Sequence, residues 1–217
     1  YNHLNSIFKK KADYTMSAIV GIEGLDPTLK IIKYSKKIAI ANKESIICGW
    51  NLLKKNFKKY KTIFVPVDSE HFSIWYALQN KSIENINKIF ITASGGPLLR
   101  LPKKKIQMIK MKDVLSHPNW KMGKKITIDS STMMNKVFEL IEAKNIFNID
   151  FDKLKIVIHP KSYIHAIISF KDGMINLIAH ETTMDIPIFN SIYNNKEYFN
   201  NLNKINIKKL NNLELIR

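Results

Sequence analysis

Two short segments of this sequence place carboxylates beside hydrogen-bond donors. The first is Asp68-Ser69-Glu70, and the second runs from Asn135-Lys136 to Glu139. Three carboxylates that converge on one point would hold a hard divalent cation such as Mg²⁺ or Mn²⁺, because these ions prefer oxygen ligands. The serine, asparagine and lysine beside them are the donors that a phosphate ester requires. The two segments therefore indicate metal-assisted chemistry on a small phosphorylated substrate.

The first acidic segment directly follows an apolar run, residues 62–67, that predicts a buried strand. Open α/β sheets place their ligand sites at the carboxyl ends of such strands. If the chain is still extended here, the i,i+2 spacing puts Asp68 and Glu70 on one side of the backbone. A role for Asp68 as the N-cap of the next helix is an equally good interpretation.

The second segment has helical spacing. Glu139 follows Asn135 by four positions and Lys136 by three, so a helix would place all three on one face. A Lys–Glu pair on an exposed helix is the simpler alternative. The neighbouring side chains are apolar, which predicts a largely buried helix: Met133, Met134, Val137, Phe138 and Leu140. Charges on a buried helix need partners, such as a metal ion and a phosphate.

Two further serines are candidate anion ligands. Ser130 lies where we predict the start of the second helix, and the free N–H groups of a helix N-terminus attract anions. A capping role is the alternative, and both can hold together. Ser94 precedes Gly95-Gly96, and glycines allow the backbone to approach a ligand closely.

The histidines differ in the roles that their positions predict. His71 directly follows the acidic pair and could support the metal ligands. His117 lies in a segment bracketed by glycines and prolines, and we expect it to contact the substrate from a loop. The other internal histidines lie on or beside predicted strands, where a core or edge position is favoured: His159, His165 and His180.

Strands and helices alternate in the first part of the chain, which argues for an α/β fold. The hydrophobic pattern and capping signals predict helices at 27–36, 44–60 and 69–78 and strands at 37–41, 62–67 and 88–92. Residues 97–125 have a weaker pattern around one helix at 105–115, which is typical of a long mobile loop.

The second part of the chain predicts an α+β arrangement with antiparallel strands. We predict a strand at 125–128 and a helix from 129 to about 144. Strands follow at 154–158, 163–170 and 174–179, and Lys171-Asp172-Gly173 is a hairpin turn signal. Residues 191–217 are polar and predict a connecting segment.

Composition narrows the class of protein. The chain has 217 residues, 45% of them hydrophobic, and no apolar run long enough to cross a bilayer. Cys48 is the single cysteine, so an internal disulfide and a cysteine-based zinc site are excluded. The formal charge of +17 comes almost entirely from lysine, which argues against a nucleic-acid partner but would attract an anionic substrate. Because the first residue is Tyr1 rather than Met, we expect a fragment of a longer protein.

Several motifs together resemble one enzyme family, 1-deoxy-D-xylulose 5-phosphate reductoisomerase. The resemblance extends from about Ser17 to Ile188. The motifs occur in one order at matching spacings: Asn42-Lys43-Glu44-Ser45, Pro66-Val67-Asp68-Ser69-Glu70-His71, Ser94-Gly95-Gly96-Pro97, His117-Pro118-Asn119-Trp120-Lys121-Met122-Gly123, Asp129-Ser130 through Lys136, and Ile158-His159-Pro160.

The resemblance implies a role for each site residue. The metal ligands would be Asp68, Glu70 and Glu139, and the catalytic residues Lys43, Glu70, His117 and Glu139. The substrate would contact Lys43, Ser69, Glu70, Ser94, His117, Trp120, Ser130, Asn135, Lys136 and Glu139, with Ser94, Ser130, Asn135 and Lys136 on its phosphate. NADPH would approach Asn42, Glu44, Gly123 and Met184.

The resemblance also implies an architecture. Residues 1–67 would be the C-terminal part of a Rossmann-like NADPH-binding domain, and 68–190 an α+β catalytic domain with a mixed sheet. Residues 94–124 would form a mobile lid loop with Trp120 over the substrate, and 191–217 a linker toward a missing C-terminal helical domain. Relatives in the family are homodimers, so we expect one here, with no membrane partner.

The implied reaction is the rearrangement of 1-deoxy-D-xylulose 5-phosphate and its reduction by NADPH to 2-C-methyl-D-erythritol 4-phosphate, in non-mevalonate isoprenoid biosynthesis. No Gly-rich phosphate-binding turn follows a first strand here. That departure leaves open a metal-dependent phosphosugar isomerase or aldolase without a redox step. The net charge of +17, taken alone, permits a third hypothesis, a basic nucleic-acid-binding module. The Asn-, Lys- and Ile-rich composition favours a plastid, with a bacterial cytoplasm as the alternative.

Overall fold

The computed structural model describes residues 4–115, 123–193, 207–210, 213, 215 and 216. Its strands are β1 Ala12–Ser17, β2 Ser35–Ile40, β3 Ile63–Pro66, β4 Ile86–Ala93, β5 Leu154–Ile158, β6 Ile164–Phe170 and β7 Ile175–Ala179. Its α-helices are α1 Leu4–Ile7, α2 Leu25–Ile32, α3 Lys43–Tyr60, α4 Ser69–Ala77, α5 Met111–Val114, α6 Lys124–Ser131, α7 Met134–Phe147, α8 Asp185–Tyr193 and α9 Ile207–Leu210.

The first sheet is entirely parallel, with strand order β1-β2-β3. Helices α2 and α3 are the crossovers between these strands, as parallel pairing requires. Helix α3 begins where Asn42 accepts a hydrogen bond from the Ser45 backbone N–H at 2.5 Å, which is N-cap geometry. The α/β prediction for the first part of the chain is confirmed.

The second sheet is mixed, with strand order β5-β4-β6-β7. Strand β4 pairs in parallel with β5 and antiparallel with β6, which in turn pairs antiparallel with β7. Gly173 supplies a positive φ of 86° in the turn between β6 and β7. The predicted mixed sheet and its hairpin are therefore confirmed.

Each sheet has its own apolar core, and α7 contacts both. Ile38, Ile40 and Leu53 are fully buried beside the first sheet. The second core includes Ile89 and Phe147, beneath the mixed sheet. Ile146 of α7 packs against both clusters, so this helix joins the two sheets.

The predicted strand at 125–128 is wrong, because these residues lie inside α6. The alternation of Ile126 and Ile128 with polar residues mimics a strand. In the fold, Lys125 pairs with Asp129 at 2.9 Å in the helical i,i+4 register, and Thr127 donates its hydroxyl hydrogen to the Gly123 carbonyl at 3.0 Å. These local contacts favour the helix.

The helix predicted from 129 to 144 is interrupted. Helix α6 ends at Ser131 and α7 begins at Met134, with Met133 between them in the left-handed region at φ 61°. The predicted helix at 105–115 is likewise divided into a 3-10 segment, Lys103–Met108, and the short α5. The helix predicted at 27–36 ends earlier, at Ile32, because Ser35 already starts β2.

No helix in the ranges given above is both long enough and apolar enough to cross a membrane.

Candidate metal and phosphate site

Two neighbouring parallel strands bring the first site residues together. Ile40 and Pro66 are paired in register near the ends of β2 and β3. Lys43 follows the first of these strands, and Asp68 follows the second, so both lie at the carboxyl edge of the sheet. The Lys43 Nζ atom donates to Asp68 Oδ2 at 2.5 Å.

The predicted carboxylates converge. One oxygen from each of Asp68, Glu70 and Glu139 lies within 4.8 Å of the other two. Asp68 is also the N-cap of α4, since its side chain accepts a hydrogen bond from the Glu70 backbone N–H at 3.3 Å. The N-cap interpretation of Asp68 is confirmed, and the carboxylates meet at a helix start rather than along extended backbone; its role as a metal ligand stays a prediction. We call these three residues the carboxylate cluster.

Two lysines form ion pairs with the carboxylate cluster. Lys136 Nζ donates to Glu70 Oε1 and to Glu139 Oε2, each at 2.6 Å, and only 7% of Lys136 is exposed. Lys43 Nζ lies 3.5 Å from Glu139 Oε1 in addition to its contact with Asp68. Asn135 Nδ2 donates to the same Glu139 oxygen at 2.5 Å. The helical face predicted for Asn135, Lys136 and Glu139 is confirmed.

The pKa values follow from burial and these charges. Burial, reinforced by the Glu70 carboxylate, raises the pKa of Glu139 to about 7. Burial would also raise the pKa of Asp68, but the Lys43 ammonium and His71 outweigh it and hold that pKa well below its usual value. For Lys136 burial would lower the pKa, and the Glu139 and Glu70 carboxylates reverse the shift and raise it. Lys136 therefore stays charged inside the protein.

The two candidate anion-binding serines lie next to each other across a tight turn. Ser94 Oγ accepts a hydrogen bond from the Gly96 N–H at 3.1 Å. A Cβ atom at Gly96 would lie 2.7 Å from the Ser130 carbonyl oxygen, so the turn is packed directly against Ser130. The predicted helix N-terminus at Ser130 is wrong, because Ser130 lies in the last turn of α6. The nearby helix N-terminus is that of α7, where Asn135 and Lys136 lie in the first turn.

A cavity of about 320 Å³ joins the carboxylate cluster to these serines. Its walls include eleven residues that the sequence analysis selected: Lys43, Asp68, Ser69, Glu70, Ser94, Gly123, Ser130, Asn135, Lys136, Glu139 and Met184. Among the described residues, Ala41, Thr92, Ile126, Ser162 and His165 also line it. A concave site with a few converging polar groups is typical of small-molecule binding.

The four residues proposed for NADPH divide into two pairs. Gly123 and Met184 line the cavity. Asn42 and Glu44 do not line it; Asn42 Nδ2 donates to the Gly21 carbonyl at 2.7 Å, and Glu44 forms an ion pair with Lys125 at 2.9 Å. The Asn42 contact holds the turn after β1 near the start of α3. His117 and Trp120 lie outside the described residues.

Sequence reasoning missed one buried acid, Glu142. It is 1% exposed, and its Oε2 atom lies 3.4 Å from Lys43 Nζ and 3.7 Å from His71 Nδ1. Its spacing of three residues from Glu139 could have placed it on the same helix face. Helix α7 buries Lys136, Glu139 and Glu142 while Val137 is 43% exposed, which reverses the usual amphipathic pattern.

His71 is fully buried and contacts two members of the carboxylate cluster. Its Nε2 atom lies 2.9 Å from the Glu139 carbonyl oxygen, and its Nδ1 atom lies 3.2 Å from Asp68 Oδ1. Burial opposes the charged ring, but the Asp68 and Glu142 carboxylates prevail and raise the pKa of His71 to about 9. The Nε2 contact is a hydrogen bond, whereas Nδ1 makes no hydrogen bond with the described residues and faces the Asp68 carboxylate as a charge contact.

The donor set at the carboxylate cluster fits Mg²⁺. All of the converging ligand atoms are carboxylate oxygens, which hard divalent cations prefer, and no cysteine is close enough to favour a softer metal. The Asn135 Oδ1 atom is buried and has no hydrogen-bond partner among the described residues. A bound polar ligand would satisfy that acceptor.

We expect Gly96→Ala to destabilise the protein by roughly 2–4 kcal/mol, because the positive φ of 68° and the close Ser130 carbonyl both oppose a Cβ atom. Gly173→Ala is the matched control. Its φ is 86°, but nothing lies within 4 Å of the added carbon. Urea unfolding should therefore show a loss of only about 1 kcal/mol for the control. Equal losses in the two variants would contradict the close approach at Gly96.

A buried histidine should make the protein sensitive to acid. Burial and the neighbouring His180 lower the pKa of His165 to about 3, and the two rings stack at 3.7 Å. The unfolded chain binds a proton near pH 6.5 and the folded protein does not, so stability is lost as the pH falls from 6.5 toward 3. We expect the free energy of unfolding of the unsubstituted protein to fall between pH 7 and pH 5 by up to about 2 kcal/mol more than that of His165→Gln. Urea unfolding of both proteins at the two pH values measures this difference. An unchanged difference between the two pH values would refute this assignment.

Comparisons with known proteins agree with the resemblance in the sequence. The sequence model of 1-deoxy-D-xylulose 5-phosphate reductoisomerase matches residues 2–49, and the model of its C-terminal domain matches residues 64–147. A reductoisomerase from Pelagibacter ubique is 62% identical over 99% of this chain and 56% of that protein. One from a Wolbachia strain of Drosophila simulans is 49% identical over 81% of this chain and 46% of that protein.

A solved structure of DOX-P reductoisomerase in complex with NADPH, fosmidomycin and magnesium superposes with a TM-score of 0.87 at 34% identity. The match covers 96% of this chain and 54% of that one, so the chain spans about half the length of the relatives it matches. Both curated relatives are bacterial, and they give no support to a plastid origin. With two sequence models, high identity along the chain and a common fold, the chain belongs to the 1-deoxy-D-xylulose 5-phosphate reductoisomerase family.

Proposed function

We propose that this chain supplies the substrate and metal site of an NADPH- and divalent-metal-dependent reductoisomerase. The complete protein would convert 1-deoxy-D-xylulose 5-phosphate to 2-C-methyl-D-erythritol 4-phosphate. The observation that carries the proposal is the meeting of the carboxylate cluster, the partly buried Lys43, the buried Lys136 and the Ser94–Ser130 turn around one cavity. The candidate metal ligands and the candidate phosphate donors thus line the same cavity.

Asp68, Glu70 and Glu139 would hold the cation. Bound there, Mg²⁺ would act as a Lewis acid toward adjacent oxygens of the substrate. The related structure with NADPH and fosmidomycin is a complex with magnesium. Mn²⁺ is a second candidate for this chain, because the same oxygen ligands suit both ions. Ser69 and Lys43 face the same cavity and would orient the reacting end of the substrate.

The other end of the cavity would hold the phosphate. Lys136 is a buried cation whose Nζ atom can turn from Glu139 toward an anion, and the first turn of α7 adds backbone N–H groups. The hydroxyls of Ser94 and Ser130 and the amide of Asn135 would complete the contacts. Because the phosphate lies away from the reacting carbons, its binding energy would serve to position them.

NADPH would enter beside the substrate and supply the hydride. Met184 and Gly123 line the cavity and would lie near the reacting end of the cofactor. Asn42 and Glu44 would approach it at the start of α3. His117 and Trp120 would contact and cover the substrate from a lid spanning residues 94–124, which would exclude water during the reaction.

We further propose the domain boundaries that were predicted from the sequence. Residues 1–67 would close the NADPH-binding domain, 68–190 would form the catalytic domain, and 191–217 would lead to a helical domain. A homodimer is supported by β7, an edge strand with Ile175 55% exposed and Leu177 49% exposed. The bacterial relatives favour a bacterial cytoplasm as the location.

The decisive experiment uses the complete protein with its upstream sequence. With Mg²⁺ and 1-deoxy-D-xylulose 5-phosphate, we expect NADPH oxidation, followed at its absorbance band, to match product formation mole for mole. Removal of Mg²⁺ by a chelator should abolish both. Conversion of the substrate without NADPH oxidation would refute the proposal in favour of a phosphosugar isomerase or aldolase.

A further inference from the structure

Glu142 is a buried carboxylate to which the roles proposed above give no task. It lies one turn after Glu139 on α7 and is 1% exposed. Its Oε2 atom is 3.4 Å from Lys43 Nζ and 3.7 Å from His71 Nδ1. Burial disfavours the charged form of Glu142 and raises its pKa, and the Lys43 ammonium and His71 oppose that shift.

The two neighbours of Glu142 are also neighbours of the carboxylate cluster. Lys43 Nζ is 2.5 Å from Asp68 Oδ2, and His71 Nδ1 is 3.2 Å from Asp68 Oδ1. Together the group contains the side chains of four acids, Asp68, Glu70, Glu139 and Glu142, the ammonium groups of Lys43 and Lys136, and the His71 ring. Glu142 thus touches the cluster through Lys43 and His71.

Lys43 competes with a divalent cation for the same oxygens. Its ammonium contacts Asp68 Oδ2 and also lies 3.5 Å from Glu139 Oε1. Two positive charges cannot share these atoms in a buried site without strong repulsion. Lys43 therefore needs a second anion when a cation takes Asp68 and Glu139, and Glu142 is already within 3.4 Å of its Nζ atom.

We propose that Glu142 is a positioning residue that holds the Lys43 ammonium beside the carboxylate cluster while a divalent cation occupies it. The inference rests on the proposed function, because it requires the cation to bind at that cluster. Glu142 acts through Lys43: it keeps the ammonium paired, lowers its competition for Asp68, and leaves it directed toward the cavity.

The test is a double-mutant cycle on Mg²⁺ binding, measured by titration calorimetry on the complete protein without NADPH or substrate. Glu142→Gln should raise the Kd for Mg²⁺ roughly tenfold, the scale of a lost supporting partner at a metal site. In a Lys43→Met background, the same substitution should change Kd less than about threefold, because the competing ammonium is absent.

A second variant separates position from charge. Glu142→Asp keeps the charge but withdraws the carboxylate from Lys43, so it should also weaken Mg²⁺ binding, and it serves as the probe if Glu142→Gln does not fold. Asp26→Asn is the control, since it removes an exposed carboxylate that pairs with Lys30 at 2.7 Å on the surface. We expect no change in Kd for it.

The outcomes distinguish this inference from the proposed function. A Kd that Glu142→Gln and Glu142→Asp leave unchanged overturns the positioning role. The positioning role is also overturned if Glu142→Gln raises the Kd for Mg²⁺ equally in the unsubstituted protein and in the Lys43→Met background. Glu142 would then act by its charge alone and not through Lys43. Failure of the unsubstituted protein to bind Mg²⁺ would instead reject the proposed metal site itself.

Discussion

Glu139→Gln is expected to weaken Mg²⁺ binding by roughly 100-fold or more, since loss of even a supporting partner at a metal site costs about 10- to 100-fold. Glu139 is 1% exposed, and its two oxygens contact Lys43, Asn135 and Lys136. Glutamine keeps the shape of the side chain but offers one neutral oxygen in place of a charged pair. Titration calorimetry with Mg²⁺ on the complete protein measures the change directly.

An exposed acid provides the control for Glu139. Asp152 is exposed in the short 3-10 segment before β5, and Asp152→Asn removes the same formal charge. Its Kd for Mg²⁺ should equal that of the unsubstituted protein. If Glu139→Gln bound Mg²⁺ within about threefold of the unsubstituted protein, the assignment of Glu139 as a metal ligand would fail.

Lys136→Met is expected to lower the free energy of unfolding by about 3–5 kcal/mol, the usual cost of breaking a buried ion pair from one side. The substitution leaves the Glu70 and Glu139 carboxylates buried without the ammonium that lies 2.6 Å from each. Urea unfolding at pH 8 is the measurement, because this pH lies above the pKa of about 7 that Glu139 has in the unsubstituted protein, where the Lys136 ammonium lowers it. Adding Mg²⁺ should recover part of the loss, since the cation restores the missing positive charge.

Lys144→Met is the matched control for Lys136→Met. Both lysines lie on α7, but Lys144 is exposed and its Nζ atom rests over the Phe151 ring at 4.4 Å. Its replacement should cost less than about 1 kcal/mol. Similar losses for the two variants, or no recovery of Lys136→Met with Mg²⁺, would show that the buried charge balance does not control stability.

The site was predictable where it follows a general rule of sheet structure. Asp68 lies at the carboxyl end of a recognisable strand, and Asn135, Lys136 and Glu139 share helical spacing. That Glu139 meets Lys43, from 96 residues earlier in the chain, does not follow from any local pattern. The resemblance to the family brought these residues together, and the fold confirms their proximity.

The sequence interpretation failed where tertiary contacts override local preference. Lys125 to Ile128 alternates like a strand, yet Lys125 pairs with Glu44 of α3 and Asp129 of its own helix. Those partners are visible only once α3 and α6 are side by side. The sequence interpretation missed Glu142 for a related reason. Helix α7 packs against both apolar cores, so it buries a face whose charged residues would normally predict exposure.

The contact of Ile146 with both apolar cores has a consequence for how the protein tolerates substitution. Glu139 lies seven residues earlier on the same helix, so a displacement of this helix at Ile146 would also move Glu139 in the carboxylate cluster. The relative position of the two sheets is thereby coupled to one aliphatic side chain that is not among the described residues lining the cavity. A substitution that repacks one core must therefore remain compatible with the place that Ile146 takes in the other.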